Sequence, residues 1–347
     1  MKHLYSPQPI ETISLEVESS PVWEVILGIA GYTHTQLRHT FDLDEKWTTE
    51  QSSMPGSLVN HLKVIEKTNF WYGLIMLQNK LSASSVRNFS NLLSEMPIDY
   101  FYDILLPYKD RDTEAMRKTT ATQCDRLELF EQYAAYFDTH DYLGEYVRGL
   151  GHYSYQDICD LFNYTMDEWY NWVSQHEEWD KWTRALAFEQ KQYSSLDMTN
   201  PTEEIERITG GIKYRPEPSV WTVKLIPHIS YRPWILEKRT PDTKLFFYPL
   251  KEEYLMEPGI PSKELVRGHK ALGDELRLKL LYQLLKGPSS LQEMSVQFNT
   301  SKTTLHHQLS LLKAAKFIRV DKGIYSANLT QINSFSGQLT QYLGDHI

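Results

Sequence analysis

The sequence predicts a mainly α-helical protein with a small β-rich layer: a helical N-terminal domain followed by a compact C-terminal module of three helices and a β-hairpin. Three observations predict it. Apolar residues recur at helical spacing from Ser57 to about Tyr193. Glycines and prolines then punctuate short β-branched and aromatic runs between residues 210 and 250. From Ala271 to Leu329 the chain turns to short helical patterns around breakers, and it closes on two β-rich runs.

The 347 residues suffice for two domains. The expected division is 1–257 and 262–347, with a hinge at Glu257-Pro258-Gly259-Ile260-Pro261.

Residues 10–17 alternate around Ile13, Leu15 and Val17 and predict a strand. Ser20-Pro21 reads as N-cap and first helical residue of a helix reaching about Gly31. Leu58, Leu62, Ile65 and Phe70-Trp71 give helical spacing, and further helices are expected near 83–95, 112–137 and 154–192. Asn200-Pro201, with Glu203 and Glu204 in the first turn, opens another. The runs SVWTVKLI, ISYRPWIL and KLFFYPL predict a small sheet or hairpin layer.

In the C-terminal module, ALGDELRLKLL begins the first helix. Gly287-Pro288-Ser289-Ser290 breaks the chain, and the serines cap a second helix over about Leu291–Phe298. Only Asn299 and Thr300 separate it from Ser301, the expected cap of the third helix. Leu305, Leu309 and Leu312 form that helix's apolar stripe. At about 100° per residue, Thr303, His306, His307, Ser310 and Ala314 lie opposite, flanked by Lys302 and Lys313. Such a face has donors, acceptors, small residues and no carboxylate, which suits the major groove. The alternative is an ordinary amphipathic surface helix. Two β-rich runs, Phe317–Val320 and Ile324–Ala327, flank the tip Asp321-Lys322-Gly323 and predict a hairpin made basic by Arg319 and Lys322.

Taken together, ALGDELRLKLL, TSKTTLHHQLSLLKAAKFI and RVDKGIY resemble the winged helix-turn-helix of the ArsR-type (arsenical-resistance repressor) family. The resemblance covers roughly the last quarter of the chain. Gln308 stands where many relatives carry histidine, and Lys316 replaces the usual turn glycine. SPVWEVILGIAGY resembles, more weakly, the entry to an N-terminal domain fused ahead of some such modules. The resemblance implies a homodimeric, sequence-specific regulator of transcription, with repression the expected sign. It places double-stranded operator DNA against Ser301, Lys302, Thr303, Thr304, His306, His307, Ser310, Lys313, Arg319 and Lys322. It also implies dimerisation through helices flanking the module, where Leu281, Tyr282, Ile332, Phe335 and Leu339 read as an apolar seam.

Charge supports a basic module on an acidic body. Residues 261–347 hold 11 Lys+Arg and 6 Asp+Glu, a balance of +5, against −14 for the rest and −9 overall. No catalytic signature appears, so an enzyme is not expected. Neither is a metal or another cofactor. Residues 261–347 contain no cysteine, and the adjacent His306 and His307 diverge by about 100° on a helix. The loop carrying His34, His39 and Asp42 reads as a loop. Trp169, Trp172, Trp179 and Trp182 read as core, with an effector pocket as the alternative. Arg215, Arg232 and Lys213 read as surface charges, with an anionic ligand as theirs.

No apolar run spans a bilayer and no signal peptide is read, so a cytoplasmic protein without membrane contact is expected, its Cys124 and Cys159 reduced. A small-molecule effector in the N-terminal domain is the expected control. Two other function classes compete: a winged helix that binds a protein partner, and an enzyme domain fused to an autoregulatory winged helix.

Overall fold

A computed structural model describes residues 13–193, 196, 200–251, 261–329, 331–333, 335, 339 and 342. The chain is mainly helical with small sheets. It divides into two compact units, one of Met1–Thr35 with Glu45–Leu250, the other of Gln36–Asp44 with Lys251–Ile347. Of the hinge expected at Glu257-Pro258-Gly259-Ile260-Pro261, all but Pro261 lies outside the described residues.

The helices in chain order are α1 (Pro21–Thr33), α2 (Asp44–Glu50), α3 (Gly56–Thr68), α4 (Trp71–Leu81), α5 (Val86–Ser94), α6 (Ile98–Leu105), α7 (Glu114–Thr122) and α8 (Leu127–Ala134). They continue with α9 (Leu143–His152), α10 (Tyr155–Val173), α11 (Trp179–Gln192), α12 (Pro201–Thr209), α13 (Lys263–Leu272), α14 (Glu275–Lys286), α15 (Leu291–Gln297) and α16 (Lys302–Ala314). The strands are β1 (Ser14–Val17), β2 (Thr222–His228), β3 (Leu236–Arg239), β4 (Thr243–Pro249), β5 (Ser289–Ser290), β6 (Ile318–Asp321) and β7 (Ile324–Ala327).

The first unit is built around α1. Ser20 accepts a hydrogen bond from Val22 N at 3.2 Å, and Pro21 supplies the fixed φ of a first helical residue. Every α1 residue from Val22 to Thr33 is buried, because helices and sheet pack around it. Gly28 permits the closest approach: a Cβ there would lie 2.8 Å from Trp169 Nε1 on α10. Trp169, Trp172, Trp179 and Trp182 are all buried, as core residues are.

A four-stranded sheet in the order β1-β2-β4-β3 completes this unit, with β1, β2 and β4 parallel and β3 antiparallel at the edge. One face buries Leu15, Val223, Leu225, Phe246 and Tyr248 under Ile205 and Ile208 of α12. Glu24 of α1 ties the helix to the end of β2. Its carboxylate accepts from Ile229 N and Ser230 N at 2.9 Å, and from Ser230 Oγ at 2.6 Å. Burial nevertheless holds its pKa above the ordinary carboxylate value, against those bonds and the Arg232 charge. Arg232 is therefore a buried neighbour of Glu24, where the sequence reading had a surface charge.

The run ISYRPWIL is not one strand. Turn bonds from Arg232 N to Ile229 O and from Trp234 N to Tyr231 O occupy its first half, and extended structure begins only at Leu236. Pro233 has no N–H to give a ladder.

In the second unit, ALGDELRLKLL spans two helices. Asp274 caps α14 by accepting from Arg277 N at 2.9 Å, so the helix starts at Glu275, and Ala271 and Leu272 end α13. A capping box between Ser290 and Glu293 starts α15. Strands β5, β7 and β6 form an antiparallel sheet in that order. Lys322 and Gly323 make the two-residue β6–β7 turn, both at positive φ (48° and 78°), which the right-handed twist of a hairpin favours.

Leu305, Leu309 and Leu312 enter the core of this unit with Leu280, Leu284 and Met294. So do Leu281 and Phe335, while Ile332 and Leu339 pack against it. Four of the five residues expected at a dimer seam are thus used inside this unit. Tyr282 alone is well exposed, at 63%. The helical period explains the error: α14 turns Leu281 inward with Leu280 and Leu284, leaving Leu278, Tyr282 and Leu285 outside.

Candidate nucleic-acid interface

The α16 N-terminus follows from its cap. Ser301 Oγ accepts from Thr304 N at 3.1 Å and lies 2.8 Å from Thr304 Oγ1. Both hydroxyls therefore have local partners, although both residues are exposed. Lys302, Thr303, His306, His307 and Lys313 are exposed as well. No carboxylate belongs to α16. The acid of the preceding helix, Glu293, is engaged at its own N-terminus, where Oε2 accepts from Ser290 N at 2.7 Å and Ser290 Oγ at 2.9 Å.

Two positions expected on the outer face are not on it. Ser310 is 7% exposed, and its hydroxyl donates to His307 O at 2.7 Å; Ala314 is buried too. α16 packs against α13, α14, α15, β6 and the single turn Arg38–Thr40, so its last two turns offer little free surface. The exposed polar face is confined to Lys302–His307, with Lys313 apart from it.

The segment Gln36–Asp44 is the part of this unit that the sequence did not suggest. The His39 ring lies 4.5 Å from the His307 ring, centre to centre, tilted by 34°. Asp42 is ion-paired with Arg267 of α13, and Lys263 Nζ donates to Asp42 O at 3.1 Å. Arg38 Nε reaches Asp44 at 3.0 Å within the segment. Burial first, then the charge of His307, holds the His39 pKa below the ordinary imidazole value. The segment therefore competes for one of the side chains expected to read DNA.

Arg319 and Lys322 are exposed on the hairpin, and so is Asp321 beside them. The hairpin tip is basic but not free of acid. Gln308 is held from below: Arg277 Nη1 donates to its Oε1 at 2.7 Å, while Arg277 Nε and Nη2 donate to Ala271 O (2.6 Å) and Lys270 O (2.9 Å). One guanidinium thus caps α13 and braces α16. Lys316 adopts φ 61°, the left-handed conformation that the usual glycine takes without cost. Its N–H bonds to Lys313 O and the Phe317 N–H to Leu312 O, the paired closure of a Schellman motif.

Among the described residues no group of three metal-ligating side chains comes together, and no helix is long and apolar enough to cross a membrane. Comparison with known proteins finds no family model, no curated protein and no solved structure that matches this chain.

Proposed function

We propose that this chain is a sequence-specific DNA-binding regulator of transcription, with repression as its expected sign. One observation carries the reading: Lys302, Thr303, His306 and His307 form an exposed, acid-free face on the first turns of α16. A helix presenting such a face inserts into the major groove, where the imidazoles and the hydroxyl meet base edges and the ammonium meets phosphate. Arg319 and Lys322 contact the flanking backbone. The module's balance of +5 beside −14 orients this end toward DNA.

Pairing of two copies on a two-fold operator belongs to the same proposal, with reading helices about 34 Å apart. It does not run through Leu281 and Phe335, which are core. Selection from a randomised duplex library tests the reading. Enrichment of a two-fold symmetric sequence is expected; a library that stays random under selection contradicts it.

A further inference from the structure

The first unit contains an amine that DNA binding does not use. Lys238 stands on the edge strand β3, paired with Leu245 of β4. Its Nζ lies 5.2 Å from the centre of the Trp71 ring, 5.9 Å from Tyr72 and 5.2 Å from Tyr142. It bonds Tyr142 Oη at 2.6 Å. Among the described residues no carboxylate forms an ion pair with it, whereas its neighbour Lys244 has Glu217 at 3.0 Å and Glu237 at 3.3 Å.

The groups around this box come from four places. Trp71 and Tyr72 belong to α4. His140, Asp141 and Tyr142 precede α9, and the exposed His140 and Asp141 form the outer rim. His34 follows α1, with Nδ1 3.0 Å from Tyr231 Oη. Glu237 and Lys244 flank the amine along the sheet. Removal from water is the largest influence on Lys238 and pushes it down to about 7; Glu237 opposes this and Lys244 adds to it. Burial, then the Lys238 charge, holds His34 and His140 below the ordinary imidazole value, while Asp141 opposes. Burial also raises the Tyr142 phenol well above its ordinary value, so it stays protonated at neutral pH. The three ring faces and the Tyr142 hydroxyl attract an ammonium, but with no carboxylate beside it they return less than the hydration it gives up.

We propose that Lys238 is a nucleophilic amine that captures a small aldehyde or ketone as an imine, with Tyr142 relaying the protons. The Nζ lone pair attacks the carbonyl carbon, and the C=O π pair moves to oxygen. A proton leaves nitrogen and reaches that oxygen through the Tyr142 hydroxyl, giving a carbinolamine. The nitrogen lone pair then expels the oxygen, which takes a second proton by the same route and leaves as water. Amine plus carbonyl gives imine plus water, with no change of oxidation state. The aromatic walls favour a flat, apolar carbonyl compound. This proposal rests on the first unit alone and is independent of the DNA reading.

The test uses the full wild-type chain with benzaldehyde as the probe. Cyanoborohydride traps the imine as a secondary amine, and peptide mapping reads each lysine's labelling rate between pH 6 and 9. The expected result is labelling of Lys238 at neutral pH at least about ten-fold faster than exposed lysines such as Lys302, because a far larger fraction is unprotonated. Its rate should reach half-maximum near pH 7, and Tyr142→Phe should slow it without moving that midpoint. Labelling of Lys238 no faster than that of Lys302 would overturn the proposal.

Discussion

The rings of His39 and His307 face one another at 4.5 Å, although 268 positions of sequence separate the residues. This contact seats the segment Gln36–Asp44 on the helix proposed to read DNA. Its consequence follows from competition: DNA and His39 cannot both hold the same face of His307. His39→Ala should therefore tighten operator binding at pH 8 by roughly fivefold, about 1 kcal/mol. Fluorescence anisotropy reads the change, and weaker binding would contradict the competition.

The same contact responds to pH. His39 has a lowered pKa, so the neutral ring is the one that fits. Its contribution is complete above the unfolded value of about 6.5 and is lost as pH falls through the depressed folded value. Hydrogen exchange of amides 36–44, corrected for intrinsic rate, should show protection at pH 7.5 that declines toward pH 5. Protection that is unchanged across this range would show that the imidazole pair does not hold the segment.

Lys316 sits where only glycine is unstrained. Lys316→Gly should raise stability by about 1 kcal/mol, since a non-glycine residue in the left-handed region costs about that much. The exposed ion pair with Glu264, at 3.7 Å, offsets little of the gain. Urea unfolding followed by circular dichroism gives the midpoint; a lower midpoint contradicts the strain.

Gly268 makes room for Phe335. A Cβ at 268 would lie 2.1 Å from the Phe335 ring, so the ring must move. Gly268→Ala should destabilise by roughly 1–3 kcal/mol through overpacking. Adding Phe335→Leu should recover part of that loss. Losses that simply add would mean that the two positions do not collide.

These features divide by how far along the chain their causes lie. The caps at Ser20, Ser290 and Ser301 are legible in the sequence, and so is the hairpin tip at Asp321-Lys322-Gly323, although Asp321 pairs with Ile324 as the last residue of β6, because each involves residues at most three apart. The Leu305, Leu309 and Leu312 stripe was legible for the same reason. Ser310 was misread: a helical wheel gives direction but not neighbours, and the Arg38–Thr40 turn packs on α16 from far along the chain. Leu281 and Phe335 belong to the core and not to an expected seam, a difference invisible in sequence because an apolar residue reads the same in a core as in an interface. The pairing of β1 with β2 joins Ser14 to Thr222, beyond any local pattern. The Lys238 box draws on residues 71, 72, 142 and 238, and none of these signals alone.

Arg277 marks what a comparison of residues could only flag. Gln308 departs from the resembled pattern, and the structure gives it a partner at 2.7 Å. A double-mutant cycle of Arg277→Ala and Gln308→Ala should return a coupling of about 1.5–3 kcal/mol, the range of a hydrogen bond with one charged member.

Equilibrium binding to DNA from upstream of the chain's own gene probes the proposed reading by α16. Fluorescence anisotropy across a salt series, beside a random duplex and a Lys302/His306/His307→Ala variant, separates sequence reading from bulk charge. A DNA-reading α16 should give preference for the upstream duplex, affinity that falls steeply with salt, and loss of that preference in the variant. Absence of binding to either duplex at low salt would contradict it.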